Sequence, residues 1–263
     1  MGACAVVITF WLGKAWYQQI RLSYWLAVYS DNEEAEAGSP EGQKAAKGAR
    51  VVRQIGINGL PLALKWTANP RHYSEALGYF EILGPAAAPA IPALTRMVND
   101  SEQEVVRGAI YPLAYIGREG LPALVAALGN PKNPDRSTIA DAIRTMAIDG
   151  VDTSAAVPAL LGCLKDTNTW VAMSAAEALI WAARQEPSPA IPMLVICLKD
   201  SRPELRDSAA EALGCFRGKA RAAVPELQSL LTDKDPRVRW QASNSLTKIA
   251  PEVLTNGIAG DHE

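Results

Sequence analysis

The stretch VPELQSLLTDKDPRVRWQASNSL, Val224 to Leu246, decides how the 263-residue chain is read, because its layout recurs upstream with the same residue types in the same slots. Pro225 follows an aliphatic residue, Leu227 and Leu231 come two and six places later, and Asp233 eight places later. Arg239 then opens a second run containing Ala242 and Leu246. Proline suits the first turn of a helix, where its missing N–H has no partner to lose, and aspartate suits the break between helices. The stretch therefore predicts one helical hairpin.

Counterparts of Pro225 stand at Pro61, Pro92, Pro122, Pro158 and Pro192, with successive spacings of 31, 30, 36, 34 and 33 residues. A period in that range marks stacked repeats. Two places after the prolines come Leu94, Leu124, Leu160, Leu194 and Leu227, and six places after them Val98, Leu128, Leu164, Leu198 and Leu231. With the aliphatic residue before each proline, these slots predict one buried stripe. Asn69, Asp100, Asn130, Asp166, Asp200 and Asp233 fall between the paired helices. Beyond that break the helices are rich in alanine, which permits close approach. Arg107, Arg136, Arg206 and Arg239 follow the turn residue by six or seven places and are expected to bond locally to the preceding turn, with Ala172 interrupting the series. The expectation is an all-α protein, a right-handed α-solenoid of about six antiparallel helix pairs.

The Pro-x-Leu start, the aspartate eight places on and the Arg-x-x-Ala-x-x-x-Leu run resemble HEAT repeats, most of all the short HEAT-like variety named after the phycobilin lyases. The resemblance covers roughly Ala45 to Val253. It departs at the first repeat, where Ala63 and Thr67 replace leucines, and at Asn130 to Asp135, where two prolines lengthen a loop. It implies a non-enzymatic scaffold that binds a protein or peptide partner on its concave face. The alternative it implies is a phycobilin-lyase-like subunit or accessory protein that binds a tetrapyrrole. The HEAT-like group also includes a hydroxylase that holds iron through paired His-Glu dipeptides, and no such dipeptide stands inside this array.

Ahead of the array, Ala3 to Leu12 is uninterrupted apolar sequence, shorter than the ~20 residues that span a bilayer. It is open to three readings: a membrane anchor reaching over residues 3–17, a packed first helix, or an apolar tail. Tyr17, Leu22, Ser23, Trp25 and Leu26 are similar to a segment that follows the anchor in membrane-bound bacterial HEAT-repeat proteins. Membrane attachment is therefore the working expectation, ahead of a cytoplasmic location. Leu22, Trp25, Leu26 and Tyr29 predict a short amphipathic helix, and residues 31–42, with five acids and no large aliphatic, predict a linker. The boundaries expected are 1–30 for the N-terminal segment, 31–42 for the linker, 43–256 for the array and 257–263 for a tail. On this division a chain beginning at Gln43 would fold alone.

Chemistry is sparse along this chain. A net charge of −2 supplies no field for nucleic acid or an anionic surface, and the last repeats interleave Arg202, Arg206, Arg221, Arg237 and Arg239 with Glu204, Asp207, Glu211 and Asp235. That pattern predicts a self-paired face and argues against nucleic acid as a partner. Only His72 and His262 carry imidazole, so neither a histidine metal centre nor a histidine-assisted nucleophile is expected. Cys163 and Cys197 occupy equivalent slots of neighbouring repeats and read as two small buried hydrophobes. The chain is thus expected to hold no catalytic residue, cofactor or metal.

One address is unusual. The slots one and four places after proline, off the core stripe, hold Ala159 and Gly162, then Met193 and Ile196, where a solvated face would carry Lys, Glu or Arg. These four residues are the candidate partner-binding strip.

Overall fold

A computed structural model of the chain describes residues 22–29, 35–36 and 39–253. Residues 3–17, expected to form an anchor, and 257–263, expected to form a tail, lie outside them. Every regular element among the described residues is helical. They fall into two compact units that divide between Ala123 and Leu124.

The N-terminal unit begins with α1 (22–29) and α2 (Pro40–Ile55), then alternates short and long helices: α3 (Leu60–Thr67), α4 (Tyr73–Leu83), α5 (Ile91–Val98) and α6 (Gln103–Ile116). The division falls inside α7 (Leu121–Gly129). The C-terminal unit continues with α8 (Arg136–Ile148), α9 (Val157–Cys163), α10 (Thr169–Ala182), α11 (Ile191–Cys197), α12 (Pro203–Phe216), α13 (Val224–Ser229) and α14 (Pro236–Ile249). Each short helix from α3 on opens with its repeat proline in the first turn, and in the structure α3, α5, α9, α11 and α13 each pack on the long helix that follows. Stacked helix pairs of this kind are the α-solenoid class.

The core follows the repeat slots. Leu94, Leu124, Leu160, Leu194 and Leu227 are fully buried, and so are Val98, Leu128, Leu164 and Leu198. In the first repeat Ala63 and Thr67 occupy the same buried slots, with the Thr67 hydroxyl donating to the Leu64 carbonyl. The last repeat slips by one place: Leu230 is buried and Leu231 only half so. α13 ends at Ser229 and passes into a 3₁₀ turn, Leu230–Thr232, whose tighter winding brings the earlier leucine inward. The residues before proline are less uniform, with Ile91, Ile191 and Val224 half-buried at the rim of the stripe.

Two expectations about the N-terminal region change. α2 starts at Pro40, with the Ser39 hydroxyl accepting from the Gly42 N–H at 3.0 Å, so the stretch expected to be linker through residue 42 ends inside a helix. Ser followed by Pro and Glu is a helix-start signal that its acidic surroundings had masked. Second, α1 belongs to the unit. Leu22 and Leu26 are 1% exposed, and a Cβ added to Gly48 of α2 would lie 2.8 Å from the Trp25 carbonyl oxygen. A chain cut at Gln43 would lose α1 and the first turn of α2, and with them the cover over this end of the core.

One run, Tyr73–Val98, has the length and apolar composition of a membrane span. Its packing is that of a core hairpin. Gly84 breaks it at φ 52°, and Tyr79, Phe80, Leu94 and Val98 are fully buried, with the Tyr79 hydroxyl donating to the Gly56 carbonyl at 2.6 Å.

The alanine and glycine faces allow close approach. In α6, a Cβ added to Gly108 would stand 2.1 Å from the Thr67 carbonyl oxygen and 2.8 Å from its carbonyl carbon.

Candidate functional site

The turn between paired helices is built the same way six times. The side-chain oxygen of Asn69, Asp100, Asn130, Asp166, Asp200 or Asp233 accepts the backbone N–H two residues on, at 2.8 to 3.1 Å. A short side chain that accepts locally closes the turn without a longer loop.

The arginines then tie the turns together. Arg206 donates to the carbonyls of Asp200 and Ser201 at 2.9 and 3.1 Å, and its other nitrogens grip both carboxylate oxygens of Asp233, one repeat further on, at 2.7 and 2.8 Å. Arg136 does the same with the Leu128 carbonyl behind it and Asp166 ahead. Arg239, in the last repeat, reaches the carbonyls of Asp233 and Lys234 only. Where Ala172 interrupts the series, Arg202 substitutes by donating to the Asp166 carbonyl at 2.7 Å. These guanidinium groups serve structure. Arg107 stands one place out of register and is exposed.

The Arg206 side chain beside Asp233 holds that carboxyl below the usual carboxylate range, chiefly through their hydrogen bonds and against the opposing effect of burial. A carboxyl depressed in the folded state contributes stability above its unfolded pKa and loses it as pH falls through the folded one. The C-terminal unit should therefore lose melting temperature in acid, below about pH 4. An Asp233→Asn variant should lose less over the same interval, which thermal melts from pH 7 to 2.5 would show; equal slopes would remove Asp233 from the account.

The long helices carry an opposite case. Asp141, Glu177 and Glu211 occupy one slot of α8, α10 and α12, and burial first, then the neighbouring Glu211 and Asp141 charges, push the Glu177 carboxyl up, against the pull of Arg144. Asp207 is likewise raised, chiefly by burial.

Cys163 and Cys197 are free thiols inside the stack. Cys163 and Cys197 are buried, and burial pushes the Cys197 thiol up to about 11, which leaves it protonated and inert at neutral pH. Cys163 takes a hydrogen bond from Arg136 at 3.1 Å. His72 caps α4, with Nδ1 at 3.3 Å from a Glu75 oxygen and its ring 5.5 Å from that of Trp66. Among the described residues no group of three His, Cys, Asp or Glu side chains is placed to hold a metal ion.

The candidate strip lies on α9 and α11. Ala159 and Met193 are half-buried, Gly162 is exposed with nothing within 4 Å of an added Cβ, and Ile196 is 62% exposed. In the flanking short helices Ala126 and Ser229 are exposed in the slot of Ile196. Within the C-terminal unit α8, α10, α12 and α14 pack against each other along their lengths, whereas α9, α11 and α13 meet one another hardly at all. The long helices therefore form a tightly packed row and the short helices a looser one. The signal for this was in the sequence: SAAEAL, at Ser174 to Leu179 and again at Ser208 to Leu213, is a face made for near contact on both sides.

A profile of the HEAT-repeat family matches residues 121–214 and 191–256, together just over half of the chain. The chain belongs to the HEAT-repeat family. Among solved structures it is similar to Kap121p, with 14% identity and a TM-score of 0.50 over 88% of this chain and 29% of that one. It is also similar to the CpcE and CpcF complex of phycocyanin lyase from Nostoc sp. PCC7120, with 22% identity, a TM-score of 0.49, and 65% of this chain and 71% of that one covered. A computationally designed armadillo repeat protein for modular peptide recognition gives 18% identity and a TM-score of 0.48, covering 81% of this chain and 96% of that one. At these identities the likeness is one of fold. No curated protein matches the sequence.

Proposed function

We propose that this HEAT-repeat chain is a non-enzymatic scaffold that binds a protein or peptide segment, with Ala159, Gly162, Met193 and Ile196 forming one docking strip. The observation that carries it is Ile196. A large aliphatic side chain 62% exposed, beside an open glycine slot, offers an anchor position that packing within the stack leaves unused. The polar groups of the repeats point the same way, because the turn carboxylates and their arginines are consumed in holding turn to turn. Ile196→Glu should abolish recovery of the bound partner in crosslinking and affinity purification from the native cell while the melting temperature stays within about 1 °C, since an exposed site tolerates charge. An unfolded variant would make Ile196 a core residue, and a folded variant with unchanged partners would place docking elsewhere.

A further inference from the structure

Four long helices end in one backbone conformation. Gly56, Gly84 and Gly117 close α2, α4 and α6 with φ from 52 to 81° and ψ from −130 to −145°. At the end of α12 the same conformation, φ 52° and ψ −138°, is imposed on Arg217, the single non-glycine residue with positive φ among the described residues. Glycine enters this region freely and a side chain only under strain, so the arginine is retained at a cost to the fold.

Its side chain has a setting that explains the retention. Arg217, Arg184 and Lys248 ring a cleft of about 240 Å³ floored by Ile180, Trp181 and Cys215 at the C-terminal ends of α10, α12 and α14. None of the three cations has a carboxylate partner among the described residues, whereas Arg206, Arg221 and Arg237 nearby are all paired. Arg184 lies over the Trp181 ring, 5.5 Å from its centroid. Trp181 and Arg184 also form the wall of a second cleft, about 550 Å³, that runs to the loop between α8 and α9. There Ile148 is 46% exposed, and Thr153, only 2% exposed, has a buried hydroxyl with no hydrogen-bond partner among the described residues. Asp152 and Glu186 stand at that far end. Because Trp181 and Arg184 line both, the two clefts adjoin as a groove with cations at one end, an indole in the middle and two acids at the other.

We infer that this groove binds an extended peptide segment of a partner protein whose acidic residues lie against Arg184, Arg217 and Lys248 and whose adjoining apolar side chain packs on Trp181. Charge complementarity selects the occupant. Three unpaired guanidinium and ammonium groups over an apolar floor favour carboxylates next to an aromatic or aliphatic side chain, and the acids at the far end oppose a second run of them there. The inference rests on the scaffold reading and names a second surface, on the long helices instead of the short ones.

The test uses the full chain and a fluorescein-labelled peptide, acetyl-Asp-Glu-Phe-Leu-Ser-Gly-amide, followed by anisotropy, with Lys-Lys in place of Asp-Glu as the control. The acidic peptide should bind at least tenfold tighter than the basic one at low salt and weaken toward 0.5 M salt. Arg217→Gly removes the cation and restores the residue the backbone prefers, so this variant should melt at or above the parent temperature yet lose at least tenfold in affinity. Trp181→Ala should lose a similar factor. Equal affinity for the two peptides, or full affinity in Arg217→Gly, overturns the groove. Ile196→Glu should bind the peptide normally; if the groove fails while partner recovery still depends on Ile196, the scaffold reading stands without it, and if Ile196→Glu loses the peptide, the two surfaces are one site and the groove assignment falls.

Discussion

A Gly108→Val variant should fail to hold the N-terminal unit together. The Cβ would overlap the Thr67 carbonyl, 2.1 Å from its oxygen and 2.8 Å from its carbon, and both are backbone atoms at the end of α3 that cannot rotate aside. Relief requires α6 to move off α3, which uncovers the core slots beneath. Overpacking of this sort costs about 3 kcal/mol or more, a large share of the roughly 5–15 kcal/mol that holds a domain folded. The matched control is Gly162→Ala, where an added methyl meets nothing within 4 Å and the helix gains about 0.5 kcal/mol from the less flexible residue. Melting curves read both. A Gly108→Val protein as stable as its parent would mean that α3 and α6 do not approach as closely as described.

Arg206→Ala should destabilise the C-terminal unit by about 2 kcal/mol, the range for losing hydrogen bonds to a charged group. The side chains of Arg206 and Asp233 are 13% and 9% exposed while paired, and deleting the guanidinium removes a bidentate charge-assisted pair and frees the carbonyls of Asp200 and Ser201 as well. Arg239→Ala, at the equivalent place in the last repeat, should cost about 1 kcal/mol, because its bonds run to exposed carbonyls and involve no carboxylate. Equal losses in the two variants would show that the carbonyl bonds matter and the carboxylate pair does not.

Much of this was legible beforehand because a repeat states each rule several times. The proline, the leucine two places on and the turn aspartate each encode a local requirement, a first-turn φ, an inward face and an acceptor for a nearby N–H, and the structure meets each where the slots put it. What escaped depended on neighbours in space. Leu22 and Leu26 were evidently amphipathic, yet their docking on α2 and α4 needs partners such as Gly48, Gly59 and Gly78, which lie 22 to 56 residues away and carry no pattern of their own. Leu230 displaced Leu231 because a helix changed its winding, which a count of places cannot register. The candidate strip was visible as a list of small and apolar residues, but that it lies in the looser row of helices followed from which helices pack on one another. Arg217 looked like one more basic residue among many, and only its φ sets it apart.

The gap at Ala172 gives the stack a mechanical character. Elsewhere in the C-terminal unit an arginine clamps one turn to the carboxylate of the next, but between the turns at Asp166 and Asp200 the joint is Arg202 on a carbonyl oxygen. A neutral acceptor holds a guanidinium less firmly than a charged one does. Within this unit extension begins at the softest joint, so a partner that pulls on it would lengthen it first between α10 and α12, where it can yield and recoil while the clamped turns on either side hold.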